Sequence, residues 1–207
     1  ACEARRYYFN IVGKYGAQVQ ALLKKASGLD IAVICPLHGP ILKENLGYYL
    51  EKYNIWSSYQ PEDKGILVAC ASIHGNTRNA ARKLVEMLEA KGAPKVAFID
   101  LTRDDMAEAI EDAFRYDRLV VAGCTYDAGL FSCMEDFLAH LKAKNFQSRT
   151  VGIVENGSWA PMAGKHMKAA FESMKSITLL EPVVTIRSTL NEESQAQLDA
   201  LAEALLA

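Results

Sequence analysis

The stretch Ser72-Ile73-His74-Gly75-Asn76-Thr77 gathers two hydroxyls, an amide, an imidazole and a glycine into six residues. It follows the apolar run Gly65–Ala71 and precedes a helix-like segment that begins at Arg78. A strand, a short polar loop and a helix aim backbone N–H groups and the positive end of the helix at one anion. Ser72, Asn76 and Thr77 add neutral side-chain donors, and Gly75 allows close approach because it has no Cβ. No Lys or Arg lies inside the loop. Such a cradle suits a phosphate monoester held by dipoles and hydrogen bonds, as in flavin mononucleotide (FMN). The competing reading is plain: Ser, Asn and Thr are ordinary N-cap residues, and S-x-x-G-N-T can simply start a helix. A nucleoside-triphosphate P-loop is excluded by the absence of G-x-x-x-x-G-K-[ST]. The absence of G-x-G-x-x-G after the strand argues against a dinucleotide fold. A phospho-receiver domain would want acidic residues where this chain has Ala71-Ser72.

From residue 65 onward, strand and helix patterns alternate five times. Apolar runs fall at Gly65–Ala71, Lys95–Asp100, Leu119–Gly123, Thr150–Glu155 and Pro182–Ile186. Amphipathic stretches follow at 76–91, 104–115, 132–145, 163–175 and 191–206. Short apolar runs without alternation read as strands buried on both faces. The pattern predicts an α/β fold: a flavodoxin-like, doubly wound, five-stranded parallel sheet with helices on both faces. Ligands of such sheets lie beyond the carboxyl ends of the strands. That groups the Ser72–Thr77 loop with Cys124-Thr125-Tyr126-Asp127-Ala128-Gly129 and Asn156-Gly157-Ser158-Trp159. A flavin ring needs apolar faces to lie against and backbone groups for its pyrimidine edge. Tyr126 and Trp159 are candidates for the first role and the loop backbones for the second; both aromatics could also simply cover strand ends. No side chain is nominated as catalytic acid, base or nucleophile.

Residues 1–59 do not follow this repeat. They read as a helix at Lys14–Ser27, an isolated strand at Asp30–Cys35, a turn through Pro36-Leu37-His38-Gly39-Pro40, and a helix at Glu44–Tyr59. Residues 60–64 read as a short linker. One strand makes no sheet, so the aromatic residues here (Tyr7, Tyr8, Tyr48, Tyr49, Tyr53, Trp56) are expected to cover the following domain or a second copy of the chain. The 207 residues are 50% hydrophobic and 23% charged, with a net charge of −2, which predicts a packed core and disfavours nucleic acid as a partner. No run of about 18 apolar residues exists, so no membrane span is expected. Five cysteines without a C-x-x-C pair disfavour a disulfide framework or a rubredoxin-type iron site. With no signal-peptide pattern, the expected location is cytoplasmic.

With these residues assembled, the chain resembles the C-terminal part of the flavodiiron proteins, also called A-type flavoproteins. Arg5-Arg6-Tyr7-Tyr8-Phe9-Asn10-Ile11-Val12-Gly13-Lys14-Tyr15 and Ile34-Cys35-Pro36-Leu37-His38-Gly39-Pro40-Ile41 are similar to the tail of that family's metallo-β-lactamase-like domain. Ser72 to Thr77 are similar to its FMN phosphate loop. The resemblance implies three parts: residues 1–59 as the remnant of the first domain, 60–64 as linker, and 65–207 as the FMN-binding domain. It implies an oxidoreductase that reduces oxygen or nitric oxide at a diiron centre, fed by FMN and by rubredoxin or a similar donor, in a homodimer. It makes His38 the last metal-binding histidine, with its companion ligands before Ala1, so no iron is expected in this chain as it stands. The implied FMN ligands are Ser72, His74, Gly75, Asn76, Thr77, Cys124, Thr125, Tyr126, Asp127, Gly129, Asn156, Gly157, Ser158 and Trp159. Two departures occur: Gly123-Cys124-Thr125 replaces a frequent Ser-Pro-Thr, and Gly157 stands where a Tyr is common. Cys124 reads as a small apolar filler or as a reactive thiol near flavin. The electron-transfer module has two rivals, a stand-alone NAD(P)H:FMN oxidoreductase and a non-catalytic interaction domain.

Overall fold

Along the strand that spans residues 63–71, Ile66, Val68 and Cys70 face one side while Leu67, Ala69 and Ala71 face the other, and all six are fully buried. Residues that are apolar on both faces demand cover on both faces, and the fold follows from that demand. The computed structural model describes residues 1–207. In chain order they form α1 (Cys2–Tyr7), α2 (Gly16–Ala26), α3 (Leu46–Ser57), β1 (Asp63–Ala71), α4 (Asn76–Ala90), β2 (Val96–Asp100), α5 (Met106–Arg115), β3 (Tyr116–Tyr126), β4 (Gly129–Leu130), α6 (Ser132–Ala143), β5 (Arg149–Asn156), α7 (Ala163–Glu172), β6 (Ile177–Leu179), β7 (Val184–Ile186) and α8 (Glu192–Leu206). The sheet runs β2-β1-β3-β5-β6 with all these pairs parallel. Counting β6 and β7 as one position, this is the 2-1-3-4-5 order of a flavodoxin-like sheet. Helices α4 and α8 cover one face through Leu84, Leu88, Leu198 and Leu201, while α5, α6 and α7 cover the other through Ile110, Phe137 and Met167. No helix is long and apolar enough to cross a membrane.

Three elements differ from the sequence expectation. The fifth strand is not one run at Pro182–Ile186; β6 pairs with Arg149–Val151 and β7 with Val154–Asn156, both on β5. Pro182 lies between the two pieces and has no N–H to donate to a ladder, which interrupts the pairing. The expected strand at Asp30–Cys35 reduces to a single bridge, Ile34 with Leu42, because no neighbouring strand exists to extend it. The N-terminus forms α1 and then a π-helical turn, Tyr8–Val12, which the charge-then-aromatic pattern did not signal.

Part of the aromatic load of residues 1–59 enters the same core as the sheet. Tyr8, Phe9 and Trp56 are buried, and Phe9 stacks on Phe114 of α5 at 4.2 Å between ring centroids. Others stay outside: Leu37 is 97% exposed, and an apolar groove of about 610 Å³ opens between Tyr7, Leu22, Ile34, His38, Leu50 and Tyr53.

Buried charge joins the same surfaces. Arg5 of α1 donates to Glu62 at 2.8 Å and to Glu111 of α5 at 2.7 Å, with all three side chains buried. Glu62 also accepts from Trp56 Nε1 at 2.7 Å and pairs with Lys52 at 2.9 Å. Burial alone would raise the Glu62 carboxyl, but donation from Trp56, Lys52 and Arg5 outweighs it and holds the group down at about 2. Glu111 shares Arg5 but lacks those extra donors, so burial dominates and its carboxyl moves up. Arg149 of β5 adds a second tie: it donates to the carbonyls of Tyr59, Phe114 and Tyr116 at 2.6–2.7 Å, and burial pushes it down to about 10.

Glu62→Ala leaves Arg5 short of a partner in the interior and is expected to lower unfolding free energy by about 3 kcal/mol, read by urea denaturation at pH 7. A depressed carboxyl stabilises above its ordinary value and loses that contribution as pH falls through its folded value. The wild type should therefore lose stability between 4.5 and about 2 in a step that Glu62→Ala lacks. The raised Glu111 acts with the opposite sign and shares Arg5 with Glu62, so Glu111→Gln in both backgrounds separates its contribution from that of Glu62.

Candidate functional site

Strand register brings the three loops together. Ala71 of β1 aligns with Gly123 of β3, and Gly123 with Glu155 of β5; one step on, Cys124 aligns with Asn156. Neighbouring strands lie about 4.8 Å apart, so Ser72, Cys124 and Asn156 open three adjacent loops on one edge.

The first loop is built around Gly75, whose φ of +94° is favourable only for glycine. The Gly75 N–H donates to the Ser72 hydroxyl at 3.0 Å, which closes the loop and leaves the Ser72 proton free to donate outward. Helix α4 begins at Asn76 without a side-chain cap, so its first-turn N–H groups keep no partner within the helix. Thr77 is buried, Ser72, Gly75 and Asn76 are half-buried, and His74 is exposed. Arg78, one residue past the six-residue stretch, also reaches the loop although its type and position in the sequence do not signal this. Its Nη2 stands 3.6 Å from where a Cβ on Gly75 would lie, and its Nη1 is 3.5 Å from Asp100 Oδ2.

In the second loop Asp127 and Ala128 both adopt positive φ (51° and 58°) and turn the chain into β4, which pairs antiparallel with Thr125 and Tyr126. Gly129 thus belongs to a short hairpin that no Asn-Gly or Asp-Gly signal announced. The Thr125 hydroxyl accepts from the N–H groups of Met162 at 2.8 Å and Ala163 at 3.1 Å, so it caps α7 from a neighbouring strand. The Cys124 thiol is buried and lies 3.6 Å from the Ala71 carbonyl. Burial pushes it up, against the pull of the N–H groups of Ile73 and its own residue; a buried, protonated thiol fits the filler role.

In the third loop Asn156 spends its amide on Ser188, donating to the carbonyl at 3.0 Å and accepting from the N–H at 3.1 Å. Ser158 and Ser188 hydroxyls lie 3.2 Å apart. A Cβ on Gly157 would sit 2.8 Å from Pro161 Cα, so the larger residue common in the resembled family has no room in this backbone. Glu155, not selected from the sequence, accepts from Gly164 N–H at 2.7 Å and from the Thr185 hydroxyl at 2.9 Å, which ties α7 to β5. Trp159 is left 95% exposed and Tyr126 57% exposed.

His38 lies apart from these loops, exposed on the rim of the apolar groove, its ring 5.4 Å from that of Tyr7. No three His, Cys, Asp or Glu side chains gather in an arrangement able to hold a metal ion.

No family model matches the chain. Among curated proteins it is 24% identical over 190 residues to the nitric oxide reductase of Moorella thermoacetica, covering 89% of this chain and 46% of that one. Among solved structures, rubredoxin oxygen:oxidoreductase from Desulfovibrio gigas superposes with a TM-score of 0.88 at 21% identity, covering 98% of this chain and 53% of that one. A flavodoxin from the domain Archaea superposes at 0.57 with 20% identity, over 69% of this chain and 99% of its own. The fold is therefore flavodoxin-like and shared with flavodiiron proteins. The chain spans about half the length of the curated relatives it matches, 48% and 47% for the first two.

Thr125→Val keeps the shape of the residue but removes the acceptor for two N–H groups. The expected loss is about 1–2 kcal/mol in urea denaturation, with faster amide exchange at Met162 and Ala163 and Thr125→Ser close to wild type.

Proposed function

We propose that the chain is an FMN-binding electron-transfer module resembling the C-terminal part of a flavodiiron oxygen or nitric oxide reductase. One observation carries this reading. Beyond residue 59, the large apolar side chains left exposed are Ile73, Tyr126 and Trp159, one on each of the three adjoining loops. Exposed apolar surface collected at one edge of a sheet, beside an uncapped helix N-terminus, fits a flat aromatic ligand that ends in an anion. The residues present fit the group at both ends.

Ser72, His74, Gly75, Asn76 and Thr77 would hold the phosphate through hydroxyl, amide and backbone donors. Tyr126 and Trp159 would flank the ring. The backbones of Cys124, Asp127, Gly129, Gly157 and Ser158 would meet its polar edge, while Thr125 and Asn156 hold the loops in place through the bonds described above. Bound FMN supplies one- and two-electron transfer, and the chain supplies binding, orientation and exclusion of water.

The same reading takes 65–207 as the FMN-binding domain, 60–64 as the connection, and 1–59 as the end of a metallo-β-lactamase-like domain. His38 would ligate metal only alongside further His and carboxylate ligands, which do not gather around it here. Rubredoxin or a similar small carrier is the proposed electron donor, with a cytoplasmic homodimer as the proposed state.

Titration with FMN tests the reading. The chain should bind FMN with quenching of flavin fluorescence. Replacing Asn76 and Thr77 with Ala should weaken binding by about 100-fold or more while the fold persists, since hydrogen bonds to a charged group contribute about 1.5–3 kcal/mol each. His38→Ala should leave binding unchanged. Rapid direct reduction of the complex by NADH would favour the NAD(P)H oxidoreductase, and a chain that takes up no FMN would favour the interaction domain.

A further inference from the structure

Arginine is an unexpected residue in the first turn of α4. The positive pole of a helix disfavours a cation there, and this first turn contains no acidic residue to offset it. Arg78 nevertheless holds that place, half-buried, with one arm of its guanidinium loosely paired to Asp100 at 3.5 Å. Asp100 is held in place through its Oδ1, which accepts from the Thr102 N–H at 3.1 Å and the Thr102 hydroxyl at 2.5 Å, while its Oδ2 faces Arg78 and, at 3.8 Å, Arg103 Nε. The other arm, Nη2, lies against the glycine that shapes the loop, 3.6 Å from the missing Cβ. No hydrogen bond within the chain uses Nη2, and glycine leaves the approach to it open.

We propose that Arg78 is a specificity-determining residue of the phosphate cradle, with Asp100 as its positioning partner. This rests on the FMN reading above and adds to it a charge recognition that the neutral loop does not provide. Asp100 anchors Nη1, and Nη2 donates to a terminal phosphate oxygen. An arginine fork can serve two oxygen acceptors at once, one on the carboxylate and one on the ligand. The consequence is selection for a flavin that carries a terminal phosphate monoester. Riboflavin offers nothing for Nη2.

The test is flavin affinity of the 207-residue chain and two variants, measured by fluorescence titration with FMN and with riboflavin. Arg78→Gln is expected to weaken FMN binding about 10- to 100-fold and to leave riboflavin affinity unchanged. Arg78→Lys, which keeps the charge, should recover most of the loss. Equal FMN affinity in wild type and Arg78→Gln would overturn the assignment, as would an equal loss for both flavins, which would mean a disturbed loop. Failure of the wild type itself to bind FMN would overturn the FMN reading and this inference with it.

Discussion

β1 is the member on which the molecule depends. It pairs in parallel with β2 on one side and β3 on the other; the connection leaving its carboxyl end runs through α4 to β2, while the one leaving β3 runs through α6 to β5, so the two depart in opposite directions. A crevice must open where they part, and it opens at Ser72. Both faces of β1 are apolar, which forces α4 and α8 onto one side and α5 to α7 onto the other. Polar residues are left only at the strand ends. Chemistry is confined to the edge by the same burial that makes the sheet.

Much of this was legible in the sequence because it depends on local pattern. Five apolar runs, their amphipathic followers and the glycine of the first loop all obey rules that act over a few residues. What was not legible depends on partners distant in sequence. The split of the last strand comes from Pro182 meeting a ladder whose other side is β5. The hairpin after β3 needs positive φ at Asp127 and Ala128, a state that alanine does not advertise. Thr125 and Asn156 were selected as ligands on residue type. The structure shows their side chains also engaged by Met162, Ala163 and Ser188, ties that residue type alone does not reveal. Arg78 lies one residue past the loop, and what distinguishes it from a surface arginine, its approach to Gly75 and its pairing with Asp100, depends on the folded chain.

Residues 1–59 show what aromatic patterning can and cannot tell. Their aromatics were expected to seek cover, and Tyr8, Phe9 and Trp56 find it in the core beside Phe114. Of the remaining apolar side chains, Tyr7 and Leu22 stay exposed on the groove that includes His38, while Ile11, Tyr15, Leu37 and Tyr48 are exposed outside its lining. One segment thus completes the core of the sheet with one face and presents an apolar surface with the other.

The buried ties around Glu62 have a mechanical meaning. Arg5, Lys52 and Trp56 converge on a residue of the connecting stretch itself, and Arg149 grips Tyr59 on its other side. Such a junction acts as a weld where a hinge would need slack. Helices α1 and α3 are thereby held to α5 and to the start of β1 as one body, so a load applied to either is carried directly into the sheet.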